Sequence, residues 1–127
     1  MEGTNDLGLL PMATATDVIA GLQNAIAQLH AAGFRVILGT QTPSQGGAAH
    51  GSPGAIAARN AVNDWIRTAG AADGVVDFHA ALSDPLDPDD LRPEFDSGDH
   101  LHPSAAGYQA MADAVDLALL ADPPCRE

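Results

Sequence analysis

Phe34-Arg35-Val36-Ile37-Leu38-Gly39-Thr40 is a short, nearly continuous apolar run that contains β-branched residues. Such a run is typical of a strand that is covered on both faces, as in a parallel sheet. A second run of the same kind, Gly74-Val75-Val76-Asp77-Phe78, follows later in the chain. The sequence therefore predicts two buried strands, at 34–40 and 74–78.

Amphipathic helical patterns lie before, between and after these strands. Residues 14–33 open with N-cap hydroxyls and an early acid, and residues 52–70 open with the N-cap and first-turn proline of Ser52-Pro53. Ser104 is the predicted cap of a third helix. The apolar residues at helical spacing are Val18, Ile19, Leu22, Ile26 and Leu29 in the first helix, Ile56, Val62, Trp65 and Ile66 in the second, and Tyr108, Met111, Val115 and Leu119 in the third.

The order helix, strand, helix, strand, helix predicts right-handed parallel βαβ units in an α/β fold. We expect a flavodoxin-like three-layer α/β/α architecture with a parallel sheet, in a single domain over residues 1–127. The polar, glycine-rich segment 41–51 leaves the first strand as a loop, and open α/β sheets place their sites in such loops. The Asp- and Pro-rich segment 83–93 predicts a surface loop.

Composition limits the classes of partner. At 127 residues and 46% hydrophobic content the chain is long and apolar enough for one folded domain. Its net charge of −12, with five Arg and no Lys, argues against a nucleic-acid partner because it would repel a polyanion. The single Cys125 can form no intrachain disulfide, so cysteine content does not indicate a compartment. Neither a signal peptide nor an 18-residue apolar span is visible. We therefore expect no membrane partner, and the compartment stays open.

The stretch Asp96-Ser-Gly-Asp-His-Leu-His-Pro103 carries the chemistry. It places the Asp99 carboxylate three residues ahead of the His102 imidazole, in a turn that opens the last helix, and we expect the two side chains to be hydrogen-bonded. Two alternatives remain open: the pair could only cap the helix, or the acids and imidazoles of Asp96, Asp99, His100 and His102 could bind a divalent metal. The other histidines, His30, His50 and His79, are interpreted as surface or structural residues.

Read with the opening Met1-Glu-Gly-Thr-Asn-Asp-Leu-Gly8, this turn makes the chain resemble the SGNH (GDSL-type) serine hydrolases. In that family a Gly-x-Asn-Asp block supplies an oxyanion donor, and an Asp-x-x-His block near the C-terminus supplies the acid and base of a triad. The resemblance implies Asn5 as oxyanion donor, Asp99 as orienting carboxylate and His102 as general base. It further implies that Gly3 and Thr4 contact the substrate, a small ester, with no cofactor and no metal.

The resemblance has one clear gap, since the family's Gly-Asp-Ser nucleophile block and its oxyanion-glycine block lie upstream of Gly-x-Asn-Asp. Neither block stands in this sequence. We therefore expect a C-terminal, truncated part of a hydrolase whose serine either comes from a separate polypeptide or belongs to a part of the protein that this sequence does not include. Ser44, in the loop after the first strand, is the fallback serine and a candidate substrate-binding residue.

Three functions stay open on the sequence. The first is a carboxylic-ester hydrolase of SGNH type, and the second is a catalytically silent fragment that folds by self-association. The third is ester hydrolysis by water that His102 activates without a serine. In each case the first strand has no inner neighbour in the sequence, and an unpaired edge recruits a strand. We therefore expect a homodimer, an exchanged-segment assembly or a complex with a complementing N-terminal half.

Overall fold

The computed structural model of the protein describes residues 2–9 and 12–121, so Cys125 lies outside the described residues. Five helices and two strands follow one another in these ranges. They are α1 (Thr4–Gly8), α2 (Ala15–Ala31), β1 (Ile37–Gly39), α3 (Pro53–Thr68), β2 (Gly74–Val76), α4 (Phe78–Leu82) and α5 (Ala105–Asp113). Short 3-10 helices cover Ala48–Gly51, Pro93–Phe95 and Leu117–Leu120.

The two strands pair in parallel, with Ile37 opposite Gly74 and Gly39 opposite Val76. Helix α3 is the crossover between them, so the predicted parallel βαβ unit and the α/β class are confirmed. Within the described residues the sheet has two strands, and a three-layer arrangement is not confirmed.

Both strands are shorter than predicted. Phe34 is 62% exposed, and the backbone N–H of Val36 donates to the Asp73 carboxylate at 2.7 Å instead of to a strand. Phe78 begins α4 instead of ending β2, because Asp77 accepts a bond from the Ala80 N–H and caps a helix there. Hydrogen bonds between side chains and backbone groups therefore decide where the two strands end. The apolar pattern of the sequence gives no information about these bonds.

Helices α2 and α3 form where the sequence predicts them. Thr14 and Asp17 make a reciprocal capping box at the start of α2, and the Ser52 hydroxyl accepts from the Ala55 N–H at the start of α3. The two helices pack on each other and on β1. Their shared core consists of Leu7, Val18, Ile26, Val36, Leu38, Val62 and Ile66, with Ile19, Leu22 and Trp65 packed against it, whereas Leu29 is 42% exposed.

The last helix differs from its prediction. Helix α5 ends at Asp113, so Val115 and Leu119 lie beyond it, and Tyr108 is 56% exposed. The buried contact of α5 is Gly107, where an added Cβ would lie 2.7 Å from the Phe95 carbonyl oxygen. Helix α5 thus packs through the close contact of its Gly107 backbone with the Phe95 carbonyl, and not through the apolar inner face that the spacing predicted.

Helices α1 and α4 have five residues each and were not predicted, because so short a helix shows no apolar periodicity. Leu7 and Gly8 of α1 are buried, and the His50 ring lies so close to Gly8 that an added Cβ would overlap it. This packing fixes α1 beside the carboxyl end of β1. No helix in residues 2–9 and 12–121 is long and apolar enough to cross a membrane.

Candidate active site

Asp99 and His102 are joined as the sequence predicts. The Nδ1 atom of His102 lies 2.6 Å from Oδ2 of Asp99. The other carboxylate oxygen, Oδ1, accepts from the N–H groups of His102 at 2.8 Å and Leu101 at 3.0 Å, and from the Ser97 hydroxyl at 3.1 Å. The carboxylate therefore fixes both the backbone turn and the imidazole that the turn carries.

These bonds hold the pKa of Asp99 well below its usual range of about 4. The backbone N–H of His102 contributes most, followed by the His102 ring and the Leu101 N–H. Asp99 is thus ionised at neutral pH, and an ionised carboxylate favours the imidazole tautomer with its proton on Nδ1. In that tautomer Nε2 is the ring nitrogen that can accept a proton from a reacting group.

A second Asp and His pair shapes the same turn. Oδ1 of Asp96 accepts from the N–H groups of Gly98 and His100, and Oδ2 of Asp96 lies 2.8 Å from Nδ1 of His100. The two imidazoles therefore bind separate carboxylates. Among the residues that the structure describes, no group of three or more His, Cys, Asp or Glu side chains is arranged to hold a metal ion, which leaves the metal alternative without support.

The Gly3–Asp6 turn presents Asn5 at the start of α1. Gly3 has φ 98°, a left-handed conformation that favours glycine, and an added Cβ would lie 2.6 Å from Cγ1 of Val18. Asn5 is exposed, whereas Leu7, two residues further on, is buried in the core. The turn is thus anchored on its inner side and shows its polar residues outward.

A cavity of about 270 Å³ lies between this turn and the Asp99–His102 turn. Gly3, Thr4 and Asn5 line one side, and His102 lines the other. The structure thus brings together four of the residues that the resemblance singled out, and Asp99 reaches the cavity through its bond to His102. The remaining lining residues are Glu2, Asp6, Thr42, Leu101, Pro103, Tyr108 and Met111.

Ser44 does not belong to this cavity, which corrects its selection as the fallback serine and as a substrate-binding residue. It is 3% exposed, its hydroxyl donates to the His50 carbonyl at 3.1 Å, and it accepts from the Arg59 guanidinium at 2.9 Å. Arg59 itself is 2% exposed and also binds Asp89. The hydroxyl is thus committed to a buried network that ties loop 41–51 to α3.

Seven lining residues were not predicted as site residues, and three of these, Thr42, Tyr108 and Met111, lie outside the two turns that carry the predicted ones. The sequence predicted Tyr108 and Met111 on the inner face of α5. In the structure both residues line the cavity, and Tyr108 is exposed. Thr42 lies in the loop that leaves the carboxyl end of β1, and its position after a parallel strand is the signal that could have identified it.

The other histidines have structural surroundings, as interpreted from the sequence. His30 lies 2.8 Å from the Asp73 carboxylate, and the His50 ring packs against Gly8. Burial, and then the charges of Arg59 and Arg67, lower the pKa of His79. None of the three lines the 270 Å³ cavity.

Comparison with known proteins agrees with the geometry. The family model of the GDSL-like lipase/acylhydrolase family matches residues 1–110, which is most of the chain and includes both turns that line the cavity. No curated protein matches the chain. The chain belongs to the GDSL-like lipase/acylhydrolase family.

Proposed function

We propose that the chain carries the general base, the orienting acid and an oxyanion donor of an SGNH-type carboxylic-ester hydrolase. In this assignment His102 is the base, Asp99 orients it and Asn5 donates to the oxyanion. Membership in the family supports a hydrolase, and these roles are our assignment of that chemistry to particular residues.

One observation carries the proposal: the His102 ring, held through Nδ1 by Asp99, borders the same cavity as Asn5. A hydroxyl in that cavity could pass its proton to Nε2 of His102 as its oxygen attacks the ester carbonyl. The imidazolium that forms faces an ionised Asp99, and the negative charge that develops on the carbonyl oxygen meets the Asn5 amide. His102 then gives the proton to the leaving alcohol as the ester C–O bond breaks, which leaves the acyl group on the attacking oxygen. A water molecule that passes its proton to His102 then attacks this acyl-enzyme, and His102 returns the proton to the hydroxyl as the acid leaves.

The nucleophile in this mechanism is a serine. None of the residues that line the cavity in the described part of the chain is a serine, and Ser44 is buried elsewhere. We therefore propose that the serine comes from outside residues 1–127, either from a separate polypeptide or from a segment that this sequence does not include. The same polypeptide or segment would also extend the parallel sheet beside β1 and complete a flavodoxin-like three-layer fold.

The substrate that suits the cavity is a small ester. The cavity volume of about 270 Å³ lies just below the range of ligand pockets, which is roughly 300 to 1,000 Å³. Leu101, Tyr108 and Met111 give it an apolar wall, and this wall would contact the acyl or alcohol group of the ester.

The edge of the sheet and several exposed apolar side chains favour association of this chain with another polypeptide. Among the described residues β1 pairs with β2 alone, and large apolar side chains stand exposed at Phe34, Leu86 and Leu117. We propose that the chain exists as a homodimer, as an exchanged-segment assembly or with a complementing partner. Sedimentation at micromolar concentration should give a mass well above 12.9 kDa. A compact monomer with a cooperative melt would contradict this proposal.

Two rival functions make different predictions. A silent fragment would keep the Asp99–His102 bond but hydrolyse nothing, alone or in its assembly. Water activated by His102 would give hydrolysis that is lost in His102→Ala yet resists a serine-reactive organophosphonate.

The experiment assays a short-chain aryl ester with the purified chain and with the assembly isolated from its native source. We expect hydrolysis by the assembly that needs His102 and is blocked by an organophosphonate, with the label on a serine outside residues 1–127. Absence of hydrolysis in both samples would reject the proposal in favour of the silent fragment. A label on a serine within residues 1–127 would contradict a nucleophile from outside this sequence.

A further inference from the structure

Gln41 is a polar residue in an unusual place. It lies two residues beyond β1 and is 1% exposed. Burying an amide side chain costs free energy unless its groups find hydrogen-bond partners. Oε1 of Gln41 has no hydrogen-bond partner among the described residues, so the Nε2 bond to the backbone carbonyl of Glu2, at 2.9 Å, is the one that holds the side chain. Glu2 directly precedes the Gly3–Asp6 turn. A side chain from the end of β1 thus tethers the turn that carries Asn5.

Asn63 holds Gln41 in turn. It lies on α3 with no exposed surface, its Oδ1 accepts from the Gln41 N–H at 2.7 Å, and its Nδ2 donates to the Gln41 carbonyl at 2.8 Å. One amide side chain therefore binds both backbone groups of Gln41, as a neighbouring strand would. This clamp fixes the backbone from which the Gln41 side chain and the cavity residue Thr42 extend.

The turn fits closely against the Gln41 amide. An added Cβ at Gly3 would lie 2.8 Å from Nε2 of Gln41, so the glycine backbone rests against that amide group. Gly3 is the N-cap of α1 and provides no side-chain cap. The hydrogen bond from Gln41 to the Glu2 carbonyl therefore fixes where α1 begins. A shift of this turn would move Asn5 relative to His102.

We propose that Gln41 is a positioning residue that sets Asn5 in the cavity, and that Asn63 keeps Gln41 in place. The inference rests on the proposed function, in which Asn5 donates to the oxyanion. It goes beyond that function because neither residue borders the cavity or belongs to the two family blocks.

The first test needs no activity. In Gln41→Met, which keeps the side-chain length and removes the donor, the NMR amide signals of residues 3–6 and of the Asn5 side chain should shift. Gln28→Met is the matched control, since it removes an amide bond to Asn24 on the exposed side of α2 and should leave those signals in place. Unchanged signals in a folded Gln41→Met protein would overturn the proposal.

A wild-type measurement covers the case in which Gln41→Met does not fold. A nuclear Overhauser effect should connect the Gln41 side-chain amide hydrogens with the Gly3 Hα hydrogens, because these groups are in contact. Its absence in the folded wild-type protein would overturn the proposal as well. Both outcomes are independent of whether the protein hydrolyses esters.

The second test asks whether Gln41 acts through Asn5. In the active assembly, Gln41→Met and Asn63→Asp should each lower kcat by roughly 10- to 100-fold with KM nearly unchanged, the scale expected for a small misplacement of a catalytic group. In an Asn5→Ala background Gln41→Met should cost nothing further. Multiplying losses in the double variant would contradict positioning through Asn5, whereas absence of any hydrolysis would count against the proposed function alone.

Discussion

Both carboxylate oxygens of Asp99 bind His102: Oδ1 accepts from its backbone N–H at 2.8 Å, and Oδ2 meets Nδ1 of its ring at 2.6 Å. The backbone bond makes the turn, and the ring bond orients the base within it. Four residues therefore suffice for the acid and base of the proposed site, which explains why this part of it could be predicted from the sequence.

Asp99→Asn should separate orientation from folding. The Asn carbonyl can still accept from the backbone N–H groups, but its NH₂ would face Nδ1 and favour the wrong tautomer of His102. We expect kcat for an aryl ester to fall by about 10³- to 10⁴-fold. Asp96→Asn is the matched control, because it alters the carboxylate that binds His100 and should leave most of the activity. Equal losses in the two variants would mean that Asp99 only stabilises the turn.

Asn5→Ala should remove one oxyanion donor. We expect kcat to fall by roughly 100- to 1,000-fold while KM and the free energy of unfolding change little. Asn24→Ala, on the exposed side of α2, is the control and should be as active as wild type. If Asn5 only stabilised its own loop, the free energy of unfolding would drop together with the activity. Urea unfolding of both variants distinguishes this role from that of an oxyanion donor.

Gly3→Ala and Gly21→Ala form a matched pair for stability. At Gly3 a methyl group would meet Val18 and Gln41 in a backbone with φ 98°, and we expect a loss of about 1 to 3 kcal/mol. At Gly21, inside α2, nothing lies within 4 Å of an added Cβ, so a gain of about 0.5 to 1 kcal/mol should follow. Urea unfolding measures both, and equal stabilities would show that the Gly3 turn is not constrained.

Stability at acid pH should depend on Asp77. Burial raises its pKa, but bonds from Arg67, the Ala80 N–H and the Thr40 hydroxyl outweigh burial and lower the pKa from 3.8 to about 2. A carboxyl whose folded pKa is lowered stabilises the fold fully above its unfolded pKa and loses that effect as pH falls through the folded value. The stability difference between wild type and Asp77→Asn should therefore be constant above about pH 5 and shrink towards about pH 2.

Urea unfolding at stepped pH values measures this difference, because the other acids are common to both proteins and cancel. Asp113→Asn, at the exposed end of α5, is the control. A wild-type advantage over Asp77→Asn that does not change between these pH limits would contradict the assigned contacts.

The elements that could be predicted are those with local signals. The capping residues Thr14 and Ser52, followed by apolar periodicity, are sufficient to place α2 and α3, and the two apolar runs are sufficient to place β1 and β2. The Asp99–His102 bond was predictable for the same reason, since three-residue spacing in a turn leaves few geometries.

What could not be predicted depends on contacts between distant residues. Arg59 lies on α3, and the apolar pattern of that helix gives no reason to expect a buried guanidinium. Arg59 is nevertheless buried, and it donates a hydrogen bond to the Ser44 hydroxyl. Tyr108 repeats at the spacing of a core position, but Gly107 makes the close contact and turns Tyr108 outward to the cavity. The buried amides of Gln41 and Asn63 likewise carry no signal before the chain is folded.

The role of His102 as general base can be measured as the rate of aryl-ester hydrolysis by the native assembly, compared between wild type and His102→Ala. His102→Ala removes the proposed base, so we expect the rate to fall by about 10³-fold or more. His100→Asn is the active control, because Asn tolerates the φ of 59° at that position. Equal rates in wild type and His102→Ala would contradict any mechanism in which the Asp99–His102 pair is the base.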